Sequence, residues 1–293
     1  MNPPRLHCLG CGRAAKVILR WLREQARVDI GQICNRSLAS ARRAVDFIGA
    51  GEAVEVLAAD LSGDWLLMGL PDGELEAAAL GLSCRMPGQF ALAFHLSGSM
   101  PASVLDPLGV PVAAVHPVRA FADADSALAA MPGTRLVGEG QAQPLDRLRT
   151  IFEQAGGRWL VIDGGGKAAY HAATVVASNY LVTLNQLART LAAASGLSTP
   201  DAVDLLDGLQ RAGLDVLGQS APAQALTGPI ERGDVAAVAR LVAAADGQGQ
   251  GGLFRALGRA TLDIAMSARG QKPSDPAMRV ILADASVATS QRD

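Results

Sequence analysis

Aromatic residues make up only 4% of this 293-residue chain, charged residues only 18%, and cysteine occurs four times. Each shortage excludes something. A net charge of −2 with no basic run argues against nucleic acid as the main partner. Four cysteines in a chain of this length do not make a disulfide scaffold, so a reducing, cytoplasmic setting is expected. The alanine-rich stretches are broken by His, Ser, Asn and Gln before they reach the roughly 18 apolar residues of a membrane span. The N-terminal MNPPRLHCLGCG carries no charged-then-apolar signal pattern. What the chain does have is 49% hydrophobic residues, enough for a large core and for two domains.

The stretch CLGCGRAAKV, Cys8 to Val17, has two readings. Its cysteines form C-x-x-C, a start for zinc or thiol redox chemistry. Its glycines form Gly10-x-Gly12-x-x-Ala15, the turn that carries a dinucleotide's pyrophosphate. The surroundings decide. RLHCLG reads as a buried strand, GRAAKVILRWLREQA as an amphipathic helix and VDIGQIC as a second strand. In that setting Gly10 permits the turn, Gly12 lets backbone approach the pyrophosphate, and Ala15 lets helix and sheet pack closely. Arg13 opens the helix, whose free amides and dipole favour phosphate. A structural zinc needs about four ligands, and Cys34 and Cys84 stand alone, so no metal is expected.

The end of the second strand sets the cofactor's flavour. An acidic residue there would bind the ribose 2′-hydroxyl of NAD. The chain instead has Asn35-Arg36-Ser37, with Arg42 and Arg43 a turn further on. Arg36 offers a cationic fork for a 2′-phosphate, and Asn35 and Ser37 can add neutral hydrogen bonds. NADP is expected over NAD.

Further strands are expected in DWLLMGLPD, QFALAFHLSGS, PVAAVHPV, TRLVGEG and RWLVIDGGG, with helices between. Leu70-Pro71 would pass the cofactor, and His95 with Ser97 lies at a strand's carboxyl end, where open α/β sheets bind ligands. His7 is expected to be a hydrogen-bonded core residue and His116 a structural one. From Lys167 onward the texture changes to helix only, beginning with a helix of about 30 residues. Ser198-Thr199-Pro200-Asp201 marks another helix start. Gly164-Gly165-Gly166 is therefore the expected boundary, with an α/β domain over 1–164 and an all-helical one over 165–293.

Several segments together resemble a known family: YHAATVVASNYLV (Tyr170–Val182), ALTGPIERGD (Ala225–Asp234), HLSGS and HP. They are similar to those of bacterial proteins in which a Rossmann-like domain precedes a DUF2520 domain, and the resemblance covers nearly the whole chain. It implies an architecture like that of ketopantoate reductase and pyrroline-5-carboxylate reductase. In these, an α/β Rossmann-like nucleotide-binding domain is followed by an all-α, 6-phosphogluconate-dehydrogenase-like C-terminal domain. It also implies an NADP-dependent oxidoreductase acting on a small carbonyl, imine or hydroxy acid in the cleft between domains. The chain departs from the family's usual pattern at Arg240 (often histidine) and Phe254 (often tyrosine), which bears on substrate specificity more than on fold.

On the long helix, at about 100° per residue, Lys167, Thr174, Ser178 and Asn185 fall within about 60° of His171, with Asn179 at the edge of the same half. Hydride transfer to a carbonyl needs a donor or positive charge at the atom that becomes negative, together with a proton. Lys167 or His171 can supply it, while Ser178 and Asn179 can orient substrate. The helix is too apolar for one with a solvated side, so a homodimer through the helical domain is expected. The competing reading is a non-catalytic, dimeric NADP sensor, which needs no proton donor.

Overall fold

The computed structural model describes residues 3–284 except 59 and 62. It divides into two compact units, Met1–Thr174 and Val175–Asp293. The first is built on eight strands: β1 (Arg5–Leu9), β2 (Asp29–Cys34), β3 (Glu52–Val54), β4 (Trp65–Met68), β5 (Leu92–His95), β6 (Val112–Pro117), β7 (Arg135–Gly140) and β8 (Arg158–Val161). Their order across the sheet is β3-β2-β1-β4-β5-β6-β7-β8. All neighbours run parallel except β6 and β7, which are antiparallel.

The central strands are buried on both faces, which is why they read as unbroken apolar runs rather than alternating ones. Alternation reappears in where the side chains go. Trp65 and Leu67 of β4 enter a core with Trp21, Phe94 and Phe152, whereas Leu66 and Met68 enter a second core with Leu75, Phe90 and Leu105. The two cores are the two sides of the sheet. Helices α1 (Arg13–Glu24), α2 (Leu38–Ile48), α3 (Leu75–Ser83), α4 (Ala124–Ala129) and α5 (Ala142–Gln154) complete the layers. Helix α1 buries Ala15, Val17, Ile18, Leu19, Trp21 and Leu22. Helix α2 starts at the Ser37 cap and ends at Gly49 in the left-handed conformation, a serine-to-glycine pairing that satisfies both helix ends.

His7 is the hydrogen-bonded core residue its position suggested. Its Nδ1 accepts the Gln32 N–H at 2.8 Å, and its Nε2 lies 2.9 Å from the Asp64 carboxylate. Cys8 and Cys11 are both buried free thiols. Burial pushes the Cys8 thiol well up, so it behaves as a small apolar side chain. No group of three or more His, Cys, Asp or Glu that could hold a metal occurs among the described residues.

Helix α6 runs over Lys167–Ala193, 27 residues, immediately after a 3₁₀ turn at Gly164–Gly166. Its first turns, to Thr174, belong to the first unit. The second unit holds the rest of it with α7 (Thr199–Leu217), α8 (Pro222–Ala225), α9 (Pro229–Arg232), α10 (Val235–Gly247), α11 (Gly251–Arg269) and α12 (Asp275–Ile281). Ser198 caps α7 by accepting the Asp201 N–H, with Pro200 in the first turn. Val238, Val242, Leu262, Met278 and Leu282 form this unit's core.

The segment LTGPIERGD is a helix-linking clasp. Arg269 and Lys272 both donate to the Glu231 carbonyl at the end of α9, at 3.0 and 2.8 Å. Arg269 also pairs with Asp275, which draws that carboxylate down to about 2. Cations at a helix C-terminus meet its unpaired carbonyls and its dipole. Among the described residues no strand follows β8, and no helix is long and apolar enough to cross a membrane.

Candidate active site

The strand order reverses at β1 and β4, and the turns leaving these two strands border a cleft of about 1060 Å³. Three glycines build it, for different reasons. Gly10 has φ +82, and a Cβ there would strike the Leu70 side chain, with Leu70 N only 3.1 Å away. Gly69 lies so close to the Gly10 carbonyl that a Cβ would meet it, and Ala15 Cβ would be 2.7 Å away. Chain packing therefore dictates both glycines. Gly12 differs: a Cβ there would meet nothing nearer than Gly69 O at 3.8 Å, an ordinary contact. The space it leaves opens at the start of α1, where among the described residues no side chain caps the helix, and no acid occupies the first turn. Uncapped amides and an unopposed dipole make this a place for a phosphate.

The cleft gathers Gly10, Gly12, Arg13, Ala15, Asn35, Arg36, Ser37, Leu70, Pro71 and Ser97. It adds Arg43 and Phe121, so three arginines line it, with Asp72 and Glu74 among the other lining residues. Within the loop Asn35 is a tie: its Oδ1 accepts the Cys11 N–H at 2.5 Å, and its Nδ2 donates to Ser40 Oγ at 3.2 Å. His95 does not line the cleft. It is wholly buried, accepts the Ser97 N–H on Nδ1 at 3.1 Å and presents Nε2 to the Pro101 carbonyl at 3.1 Å. Nδ1 being an acceptor, the proton sits on Nε2, and the neutral ring fixes the Leu96–Met100 turn. Burial holds its pKa down at about 4.

Beyond that turn lies a second polar cluster, also within the first unit. His116 closes β6, and its Nδ1 lies 2.6 Å from Tyr170 Oη. Its ring is edge-on to His171, with centroids 6.1 Å apart. Gly98 makes the meeting feasible: a Cβ there would come within 2.7 Å of His171 Nδ1 and 3.0 Å of His116 Nε2. Burial first, then the His171 and Lys167 charges, lower His116 to about 4. His171 Nδ1 is buried with no hydrogen-bond partner among the described residues, and so is Lys167 Nζ. Lys167 lies 3.6 Å from the Glu139 carboxylate. Burial lowers the Lys167 pKa, against the opposing pull of Glu139 and then Asp72. Ser178 and Asn179 belong to the second unit, where Ser178 Oγ donates to Asn179 Oδ1 at 2.9 Å.

The sequence did not point to Tyr170 or Glu139, and it marked His116 as structural; the fold sets His116 against Tyr170 and Glu139 beside Lys167. Glu139 had a signal, a lone acid inside the apolar strand RLVGEG. The pairing of His116 with Tyr170 had none, because it arises from where the chain enters α6.

A cleft where the strand order of a Rossmann-like sheet reverses, and a helical second unit, define the class of fold. Within that class, the model of DUF2520, a domain of unknown function, matches residues 135–261. That match spans less than half of the chain and makes its later part similar to this domain. No curated protein matches the sequence. Among solved structures, it is similar to protein TM1727 from Thermotoga maritima, at 25% identity and TM-score 0.71, over 90% of this chain and 99% of that one. A reductive aminase from Aspergillus terreus, in complex with NADPH and ethyl levulinate, matches at 17% identity and TM-score 0.65, over 95% and 99%. The 1-pyrroline-5-carboxylate reductase of Streptococcus pyogenes matches at 15% and TM-score 0.59, over 91% and 100%. The last two likenesses are of fold.

Proposed function

We propose that the protein is an NADP-dependent oxidoreductase that reduces a small carbonyl or imine, or in reverse oxidises a hydroxy acid. The observation that carries this is the opening at Gly12. The chain's own packing does not require a glycine there, and a pyrophosphate would occupy the space beside the uncapped start of α1. Arg36 and Arg43 on the same cleft, after a strand that ends without an acid, suit a 2′-phosphate. The complex of the similar reductive aminase with NADPH supports the choice of cofactor.

Bound NADPH would supply the hydride. This chain's residues then have to serve the heteroatom of the substrate, which gains electron density as the hydride reaches carbon and must be given a proton. Lys167 and His171 sit one turn apart at the start of α6, and each has a buried nitrogen without a hydrogen-bond partner among the described residues. We assign proton delivery to His171, with Lys167 as the charge beside it. Ser178 and Asn179, further along the helix, are assigned to orienting substrate.

NADPH is expected to bind more tightly than NADH, and Arg36→Ala to narrow the gap by roughly 1.5–3 kcal/mol, the worth of a charge-assisted contact. Fluorescence titration of both cofactors decides; equal affinities in the unmodified protein would sink the assignment. Turnover against a panel of 2-keto acids and cyclic imines identifies the substrate class.

The helical unit is proposed to form a homodimer. Val182 is 71% exposed, Leu209 69%, and Val176, Tyr180 and Leu205 each 56%, all on α6 and α7. Apolar exposure concentrated on two helices marks a surface awaiting a partner. Light scattering at micromolar concentration should give twice the chain mass, and a monomer would refute it.

A further inference from the structure

Glu139 stands where three parts of the first unit meet. It lies on β7, whose antiparallel pairing sets it directly across from Ala114, which in turn pairs with His95. One carboxylate oxygen accepts the Ala102 N–H at 2.7 Å and also lies 3.6 Å from Lys167 Nζ. The other faces Gly164, where a Cβ would come to 3.2 Å. The first bond holds the far end of the loop after β5, the ion pair holds the start of α6, and Gly164 belongs to the turn that feeds it.

Lys167 needs such a partner. Its side chain is 3% exposed, and a buried ammonium without a nearby carboxylate gives up its proton. The groups facing it from the surrounding elements are Glu139 on β7, Asp72 after β4, and the rings of His95 and His116 at the ends of β5 and β6. Burial keeps both histidines neutral. Asp72 is exposed and accepts a hydrogen bond from Ser99. Glu139 is the buried counter-charge. At 3.6 Å it balances Lys167 without consuming its N–H groups, which stay available to another acceptor.

We propose that Glu139 is the positioning residue for Lys167. It anchors the lysine as an ammonium at the start of α6 and clamps the loop end at Ala102 against it, so that a charged donor faces the substrate's reacting atom. The purpose rests on the oxidoreductase reading; the clamp itself does not.

The chain has three lysines, Lys16, Lys167 and Lys272, so protein labelled with 15N-lysine gives few side-chain signals, and Lys167→Arg identifies the one in question. In Glu139→Gln the amide oxygen can still accept the Ala102 N–H, but the charge is gone. Lys167 is expected to lose its proton at a pH about 1–3 units lower than in the unmodified protein. Glu139→Asp should restore part of the difference, and it decides the matter alone if the glutamine variant does not fold. An unchanged Lys167 titration in a folded variant would overturn the proposal, because a carboxylate that served only to hold the Ala102 N–H would alter stability and leave that titration alone. NADPH titration runs beside it. Absence of NADPH binding in the unmodified protein would overturn the cofactor assignment while leaving the lysine result standing.

Discussion

Replacing His171 with glutamine is expected to lower turnover about 10²–10⁴-fold, the range for a lost general acid, with NADPH affinity nearly unchanged. The two effects separate because the cleft is lined from the β1 and β4 turns, the end of β2 and the segments after β5 and β6, without His171. Glutamine retains hydrogen-bonding capacity at similar length but cannot hand over a proton. Lys167→Ala should cost less, mainly through substrate affinity. Steady-state kinetics of both variants, beside NADPH titrations, tests the ranking. If His171→Gln is active and Lys167→Ala is dead, the lysine is the donor. If neither change lowers turnover, the cluster around Gly98 is not the active site. If no substrate of the panel is turned over while NADPH binds, the sensor reading takes over.

The first thirty-five residues were legible because local signals agreed: two buried runs, a glycine turn and an apolar stripe on α1 all name one strand–helix–strand unit. The start of α6 was legible from the glycine triplet, and its length to within a few residues. Helix α2 had its serine cap and terminal glycine in plain view, but its core contacts, Ala41, Ala44 and Ile48, are mostly small and make a faint stripe. Strand β3, three residues long, has no period to detect. The reversed direction of β7 is invisible in principle, since a strand's side-chain pattern is the same read either way.

The site divides along the same line. The place of Gly10 and Gly12 on the cleft, set by their own loop, was legible from spacing. His95 sat at the right strand edge, yet both ring nitrogens are used within its own turn, and spacing cannot tell a polar residue that shapes a turn from one that faces a ligand. His116, Tyr170 and Glu139 meet their partners only where β6, β7 and α6 come together, which no single segment reports.

The glycines of one turn should fail in opposite ways. Gly12→Ala is expected to leave the fold nearly intact: φ −78 and ψ −166 are open to any residue, and the methyl meets only an ordinary contact. Alanine is a poorer N-cap than glycine, which costs up to about 1 kcal/mol. The methyl would fill the space proposed for the pyrophosphate and push it off the α1 amides. Two lost charge-assisted hydrogen bonds are worth about 3–6 kcal/mol, so NADPH affinity should fall more than about 10²-fold. Gly10→Ala should instead damage the protein. At φ +82 a Cβ costs about 1–2 kcal/mol in backbone strain alone, and the collision with Leu70 adds to it, since a packed turn yields little. Thermal melts and NADPH titrations of the two variants give the crossed result: Gly12→Ala stable and unable to bind, Gly10→Ala unstable. A Gly12→Ala protein that binds NADPH like the unmodified one would mean that the opening at the start of α1 does not hold the pyrophosphate, and the cofactor assignment would go with it.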